Sequence, residues 1–323
     1  MRDTRATRPT LYRPEFEKDN CGFGLIAHMD GQPSHWVVKT AVQALTRLTH
    51  RGAVAADGKT GDGCGLLLGK PEAFLRQIAA GQGWSPGPLF AVGMVFLNPD
   101  PDHAATARQT LETALTAQGL GCLGWRVVPT DQSACGEEAL KTLPVIEQVF
   151  VEPATGMDED AFERSLFIAR RQAEKALTGK DSVFYVPSLS CRVLSYKGLV
   201  MPANLPVFYR DLQDPRVETA ICVFHQRFST NTWPEWRLAQ PFRFLAHNGE
   251  INTVQGNRNW ALAREQKLST PLIPDMDLVR PLVSATGSDS NSLDNMVEAL
   301  LAGGVDPFRA MRLLIPPAWQ NVD

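Results

Sequence analysis

Residues 21–29 read Cys21-Gly22-Phe23-Gly24-Leu25-Ile26-Ala27-His28-Met29, followed by Asp30-Gly31. The apolar run predicts a strand, and Asp30-Gly31 closes it as a turn. The preceding residues 1–20, MRDTRATRPTLYRPEFEKDN, are polar and charged and lack the apolar centre of a secretory signal. Asp3, Glu15, Glu17 and Asp19 also break the acid-poor pattern of a transit peptide. A cysteine at the head of a strand is commonly a core residue, but the leader changes the reading of Cys21. Cleavage after Asn20 would leave Cys21 with a thiol and a free α-amine, which titrates at about 7.7–8.0. Such an amine can take the thiol proton as a local general base. A base is needed, because none of the six histidines sits in a recognisable catalytic-cysteine signature.

Working outward, Val38, Val42, Leu45 and Leu48 fall at helical spacing and predict a helix over residues 36–49. Gly61-Asp62-Gly63-Cys64-Gly65 reads as a turn leading into the strand Leu66-Leu67-Leu68. Further strands are expected at 89–97, 145–151, 183–194 and 219–228, and helices at 102–118, 158–177 and 289–302. The β-α-β alternation of a parallel sheet is irregular, and no glycine-rich phosphate loop occurs. An α+β layered domain fits this pattern.

The chain has 323 residues, 44% of them hydrophobic and 21% charged, which allows a sizeable core. The net charge of -3 and the lack of any block of like charge argue against a nucleic-acid or anionic-membrane partner. No apolar run is long enough for a transmembrane helix. Six cysteines without CxxC or zinc-type spacing point to free thiols in a reduced, cytoplasmic setting.

Three other stretches carry candidate chemistry. His225-Gln226-Arg227-Phe228-Ser229-Thr230-Asn231 ends a strand in a cluster of donors, and Arg227 offers a planar fork suited to a carboxylate. A solvated surface arginine is the plainer reading. His247-Asn248-Gly249-Glu250 is either a turn or an oxyanion-binding pair, the Asn248 amide and the Gly249 N–H. Gly287-Ser288-Asp289-Ser290-Asn291 suits a helix cap, with Asp289 compatible with a substrate ammonium.

Taken in order, the charged leader, CGFG, HQRFST, HNGEI and SDSN resemble the class II glutamine amidotransferases, which are N-terminal nucleophile hydrolases. LYRPEFEKDNCGFG, LTHRGAVAADGKTGDGCG and LLIPPAWQN narrow the resemblance to glutamate synthase large chains. The cysteine of the amino-sugar and phosphoribosylamine enzymes usually follows the initiator methionine, and they lack an insertion like that inferred here at about 70–220. The resemblance implies a four-layered αββα sandwich. It implies a propeptide at 1–20 and a glutaminase domain at 21–323 that is incomplete at its C-terminus, lacks its last core strands and is poorly stable alone.

The implied reaction is hydrolysis of L-glutamine to glutamate and ammonia through a γ-glutamyl thioester on Cys21. Asn248 and Gly249 would hold the oxyanion, Arg227 with Ser229 or Thr230 the α-carboxylate, and Asp289 the α-ammonium. His50-Arg51-Gly52 and Thr60-Gly61-Asp62-Gly63 would support the site. The resemblance implies no cofactor in this stretch; FMN and an iron–sulfur cluster belong to the longer enzyme, an oxidoreductase that aminates 2-oxoglutarate. Its partners would be the FMN barrel and a small reductase subunit or ferredoxin. The alternatives are an ammonia donor for another acceptor, an inactive fragment, or an unrelated α+β protein with a structural cysteine.

Overall fold

The computed structural model describes residues 21–227 and 232–315. The leader at 1–20, Ser229, Thr230 and the AWQN motif lie outside the described residues. In chain order the strands are β1 (Phe23–Ala27), β2 (Thr60–Gly69), β3 (Ala91–Leu97), β4 (Gly121–Val127), β5 (Val145–Glu152), β6 (Tyr185–Ser190), β7 (Val193–Val200) and β8 (Ile221–Gln226). The helices are α1 (His35–Arg47), α2 (Glu72–Gly81), α3 (Pro101–Ala117), the single turn α4 (Glu137–Leu140), α5 (Glu159–Leu177), the single turn α6 (Leu205–Phe208), α7 (Val254–Glu265), α8 (Asp289–Ala302) and α9 (Pro307–Leu314).

The strands form two four-stranded antiparallel sheets, ordered β1-β8-β2-β7 and β4-β5-β3-β6. The second is a β-α-β-β-α-β unit over residues 91–190, in which each helical crossover spans one intervening strand. It falls within the 70–220 stretch read as an insertion. Side chains of β3 alternate between two cores. Ala91, Val95 and Leu97 pack under α3 and α5, while Val92, Met94 and Phe96 face a core shared with α1, α2 and the first sheet. A sheet covered on both faces needs apolar residues at every position, which is why β3 reads as an unbroken apolar run.

Alternation also orders the first sheet. Cys64, Leu66 and Leu68 of β2 share the common core with Leu194 and Tyr196 of β7 and Cys222 and Phe224 of β8. The opposite face holds Phe23, Leu25 and Ile221, all substantially exposed. Helix starts follow capping chemistry. Asp100 accepts the N–H groups of Asp102 and His103 ahead of Pro101, Asp158 accepts Ala161 N–H, and Ser288 accepts Asn291 N–H.

Two local readings change. The Gly61–Gly65 stretch belongs to strand β2, with a register shift between Thr60 and Cys64 and Gly63 at φ +120. Its glycines serve close packing: a β-carbon at Gly65 would stand 2.5 Å from that of Lys197. The 183–194 stretch divides into β6 and β7, which lie in different sheets. The connection at Cys191-Arg192 therefore joins the two sheets.

A buried ionic junction ties α5 to the segments around α8. Arg170 pairs with Glu174 at 2.6 Å and with Glu298, and Arg243 meets Glu174 at 3.1 Å and Asp294 at 3.7 Å. Among the described residues, no helix is long and apolar enough to cross a membrane.

Candidate functional site

Strand β8 delivers the first site residue. Its pairing with β1 places His225 opposite Phe23, and the Gln226 N–H donates to the Gly22 carbonyl at 2.6 Å. The chain then leaves the sheet at Arg227, whose N–H donates to the Gly63 carbonyl at 2.8 Å. The Arg227 guanidinium is buried and donates to the Asp62 carbonyl and the Thr232 hydroxyl. Burial lowers its pKa, opposed by the charges of Asp62, Glu235 and Asp289. The loops read as supports, 50–52 and 60–63, are thus in place around it: His50 and Arg51 line the same cavity as Arg227.

That cavity has a volume of about 610 Å³, and its walls include Arg227, Asn248, Gly249 and Asp289. Four side chains or peptide groups from sequence positions 227, 248, 249 and 289 therefore meet in one space. Cys21 is exposed and does not line the cavity; its neighbour Gly22 lies against Asn248, where a β-carbon would stand 2.5 Å from Asn248 Oδ1 and 2.6 Å from the Gln226 carbonyl. Only glycine allows the chain after Cys21 to pass that close to Asn248.

Asp289 is the first residue of α8, where the partial positive charge of the helix favours a carboxylate. Its Oδ2 accepts the Ile251 N–H at 2.6 Å and its Oδ1 accepts the Ser290 N–H at 2.6 Å. Oδ1 also accepts the Ser290 hydroxyl at 3.3 Å, whereas Oδ2 accepts a single bond and keeps a lone pair for an ammonium group. Asp289 thus holds down the far end of the 247–251 loop. Arg258 ties α7 to the start of α8, donating to Ser292 Oγ at 2.9 Å and to the Gly287 carbonyl at 2.9 Å.

Sequence motifs gave no role to His225, Gln240 or Ser290. His225 is buried, and its Nε2 lies 3.2 Å from the His247 carbonyl. A carbonyl can only accept, so Nε2 carries the proton. Desolvation pulls the His225 pKa down to about 4, which keeps the ring neutral. Ser290 Oγ lies 2.9 Å from His247 Nδ1. These contacts join β8, the 247–251 loop and α8, and no linear motif spans them.

The buried thiols of Cys64 and Cys222 are raised by desolvation, Cys222 to about 12. They are packed as apolar residues and are unsuited to nucleophilic work. Among the described residues no three His, Cys, Asp or Glu side chains gather as a metal-holding group.

Residues 21–323 match the family model described as glutamine amidotransferases class-II. The chain is 43% identical over 316 residues to the glutamate synthase [NADPH] large chain of Azospirillum brasilense, covering 97% of this chain and 21% of that protein. It is 40% identical over 311 residues to the glutamate synthase [NADPH] large chain of Bacillus subtilis, covering 96% and 20%. With the ferredoxin-dependent glutamate synthase 1 of Arabidopsis thaliana the identity is 41% over 326 residues, covering 97% and 20%. The chain spans about one fifth of the length of these relatives.

Proposed function

The chain belongs to the class-II glutamine amidotransferases, and from that membership we propose that it hydrolyses L-glutamine to glutamate and ammonia, with Cys21 as the nucleophile. The observation that carries the proposal is the meeting of Arg227, Asn248, Gly249 and Asp289 in one cavity, with the residue after Cys21 packed against Asn248.

A free amino acid presents a carboxylate and an ammonium, and the cavity offers one group for each. Arg227 takes the α-carboxylate by charge-assisted hydrogen bonds. Asp289 takes the α-ammonium, and the opposite charges of the two side chains set the direction in which glutamine lies. Ser229 and Thr230 would assist Arg227. A glutamine within a peptide lacks both charges and would be a poor substrate.

In the chemical step the Cys21 thiol gives its proton to the α-amine exposed by removal of residues 1–20, and the sulfur attacks the side-chain carbonyl carbon. The Asn248 side-chain amide and the Gly249 N–H stabilise the resulting oxyanion. One such donor is worth about 3–4 kcal/mol of barrier. The tetrahedral species collapses, the C–N bond breaks, and ammonia leaves with the proton carried by the amine. Water then hydrolyses the γ-glutamyl thioester to glutamate and returns the thiol.

We extend the reading to a four-layered αββα sandwich, in which the exposed apolar face of the first sheet with Phe23, Leu25 and Ile221 is one of the inner faces. On the strength of the relatives' names we also propose that the ammonia serves glutamate synthesis in a longer protein. There it would be used with FMN and an iron–sulfur cluster, with NADPH, NADH or ferredoxin as the source of electrons.

The test is intact-mass analysis combined with ammonia release. The expected active species begins at Cys21, and Cys21→Ala abolishes hydrolysis. A protein that retains residues 2–20 and hydrolyses glutamine at the full rate would overturn the amine-base mechanism, and an active Cys21→Ala variant would overturn the assignment of the nucleophile.

A further inference from the structure

We propose that Gln240 is a positioning residue that fixes the oxyanion-binding pair through the peptide groups of His247. The inference rests on the reading of Asn248 and Gly249 as oxyanion donors.

The Gln240 side chain is buried, and its two polar atoms both turn to one residue. Its Oε1 accepts the His247 N–H at 2.9 Å, and its Nε2 donates to the His247 carbonyl at 3.0 Å. A primary amide is the uncharged side chain that supplies a donor and an acceptor side by side, matching the two backbone groups of a single residue. His247 immediately precedes Asn248. Locking both of its peptide groups fixes the direction in which the chain enters the pair.

The need for such a clamp follows from the backbone. Between the turn at Trp236–Leu238 and the start of α7, the described chain forms no helix or strand, so no ladder of hydrogen bonds sets its path. Side chains set it instead. Lys197 Nζ donates to the Arg237 carbonyl at 2.9 Å and the Ala239 carbonyl at 2.8 Å, pinning the chain just before Gln240. Asp294 Oδ1 accepts the Phe244 N–H at 2.8 Å. The Phe242 N–H donates to the Leu245 carbonyl at 2.9 Å, turning the chain back. Gln240 closes this loop on itself at the residue next to the reacting site. A misplacement of roughly 1 Å costs on the order of 100-fold in rate, so a clamp one residue from the oxyanion donors acts on the transition state.

The test compares Gln240→Met, Gln240→Glu, Asn248→Ala and the Gln240→Met/Asn248→Ala double variant in the mature full-length protein, with glutamine as substrate. Gln240→Met removes both hydrogen bonds at similar volume. It is expected to lower kcat about 10- to 100-fold with KM within about threefold of native. Because Gln240 acts through Asn248 and Gly249, the double variant is expected to lose about as much as Asn248→Ala alone. Gln240→Glu keeps the acceptor and regains the donor only when protonated, so its activity relative to native is expected to rise as the pH falls. A native kcat in Gln240→Met, or a double loss equal to the product of the single losses, overturns the inference. If Gln240→Met does not fold, Gln240→Glu decides, and a flat ratio to native across pH overturns it. A native kcat in Asn248→Ala would instead show that the oxyanion reading itself is wrong.

Discussion

Gly22 and Asn248 touch: a β-carbon at residue 22 would stand 2.5 Å from Asn248 Oδ1 and 2.6 Å from the Gln226 carbonyl. The backbone leaving the candidate nucleophile is therefore packed directly on the candidate oxyanion donor. Gly22→Ala cannot be absorbed by a small shift, because one of the two obstacles is strand backbone hydrogen-bonded to Gly22 itself. The alanine is expected to push the Asn248 side chain aside and lower kcat on glutamine by roughly 100-fold, the scale of losing one oxyanion donor. Steady-state ammonia release, with thermal melting to confirm folding, checks this. A near-native kcat would separate Asn248 from the chemistry.

Arg227→Lys tests the carboxylate contact. The guanidinium is buried, and its fork is held by the Asp62 carbonyl and the Thr232 hydroxyl. Lysine keeps the charge and loses the paired geometry. Losing a charge-assisted hydrogen bond of about 2–3 kcal/mol raises KM for glutamine on the order of 30- to 150-fold. The change in kcat is expected to be smaller, since the α-carboxylate does not react. A larger loss in kcat than in KM would count against the assignment.

Glu298→Ala tests the ionic junction between α5 and α8. Glu298 is buried beside Arg170 and within 3.9 Å of Arg243. Its removal leaves guanidinium charge in the interior with fewer partners, at a cost of about 3–5 kcal/mol. Urea unfolding measures the loss, and a change below about 1 kcal/mol would show that the junction is solvated.

His225→Gln tests the buried neutral imidazole. The folded pKa, pulled to about 4 by desolvation, lies below the ordinary 6.5. Between those values the unfolded chain binds a proton that the folded chain does not, so this residue makes stability rise with pH and lost as the pH falls below about 6.5. The full effect is about 3 kcal/mol. Asp294, raised to about 6 by burial, acts in the opposite sense over an overlapping range. The comparison is therefore native against His225→Gln, by urea melts from pH 4 to 7. The difference in stability is expected to change with pH in the direction stated, and a constant difference would mean that His225 titrates normally.

Much of the frame is legible in sequence because it depends on local period and punctuation. The apolar runs of β1, β3 and β5 and the cap of α8 were readable from residue order. Strand β4 was not: glycine interrupts it and none of its residues is fully buried, so it lacks an apolar period. Helix α7 is polar on nearly all sides and was missed for the same reason. The glycines of β2 read as a turn because glycine marks turns more often than it marks close strand packing.

By itself the sequence determined the chemical inventory: a cysteine after a polar, charged stretch, Arg227, the Asn248-Gly249 pair and Asp289, in the order that marks the family. Such motifs are local, since each needs only a few neighbouring residues of the right type. Tertiary structure decided that positions 227, 248 and 289 share one cavity and that Gly22 packs on Asn248. It also decided that Gln240 and His225 both turn to the peptide of His247. Those relations depend on strand register and on loops folded back across many residues, where burial and hydrogen-bond satisfaction choose the partner. A single glutamine in a chain carries no mark of the peptide it will clamp.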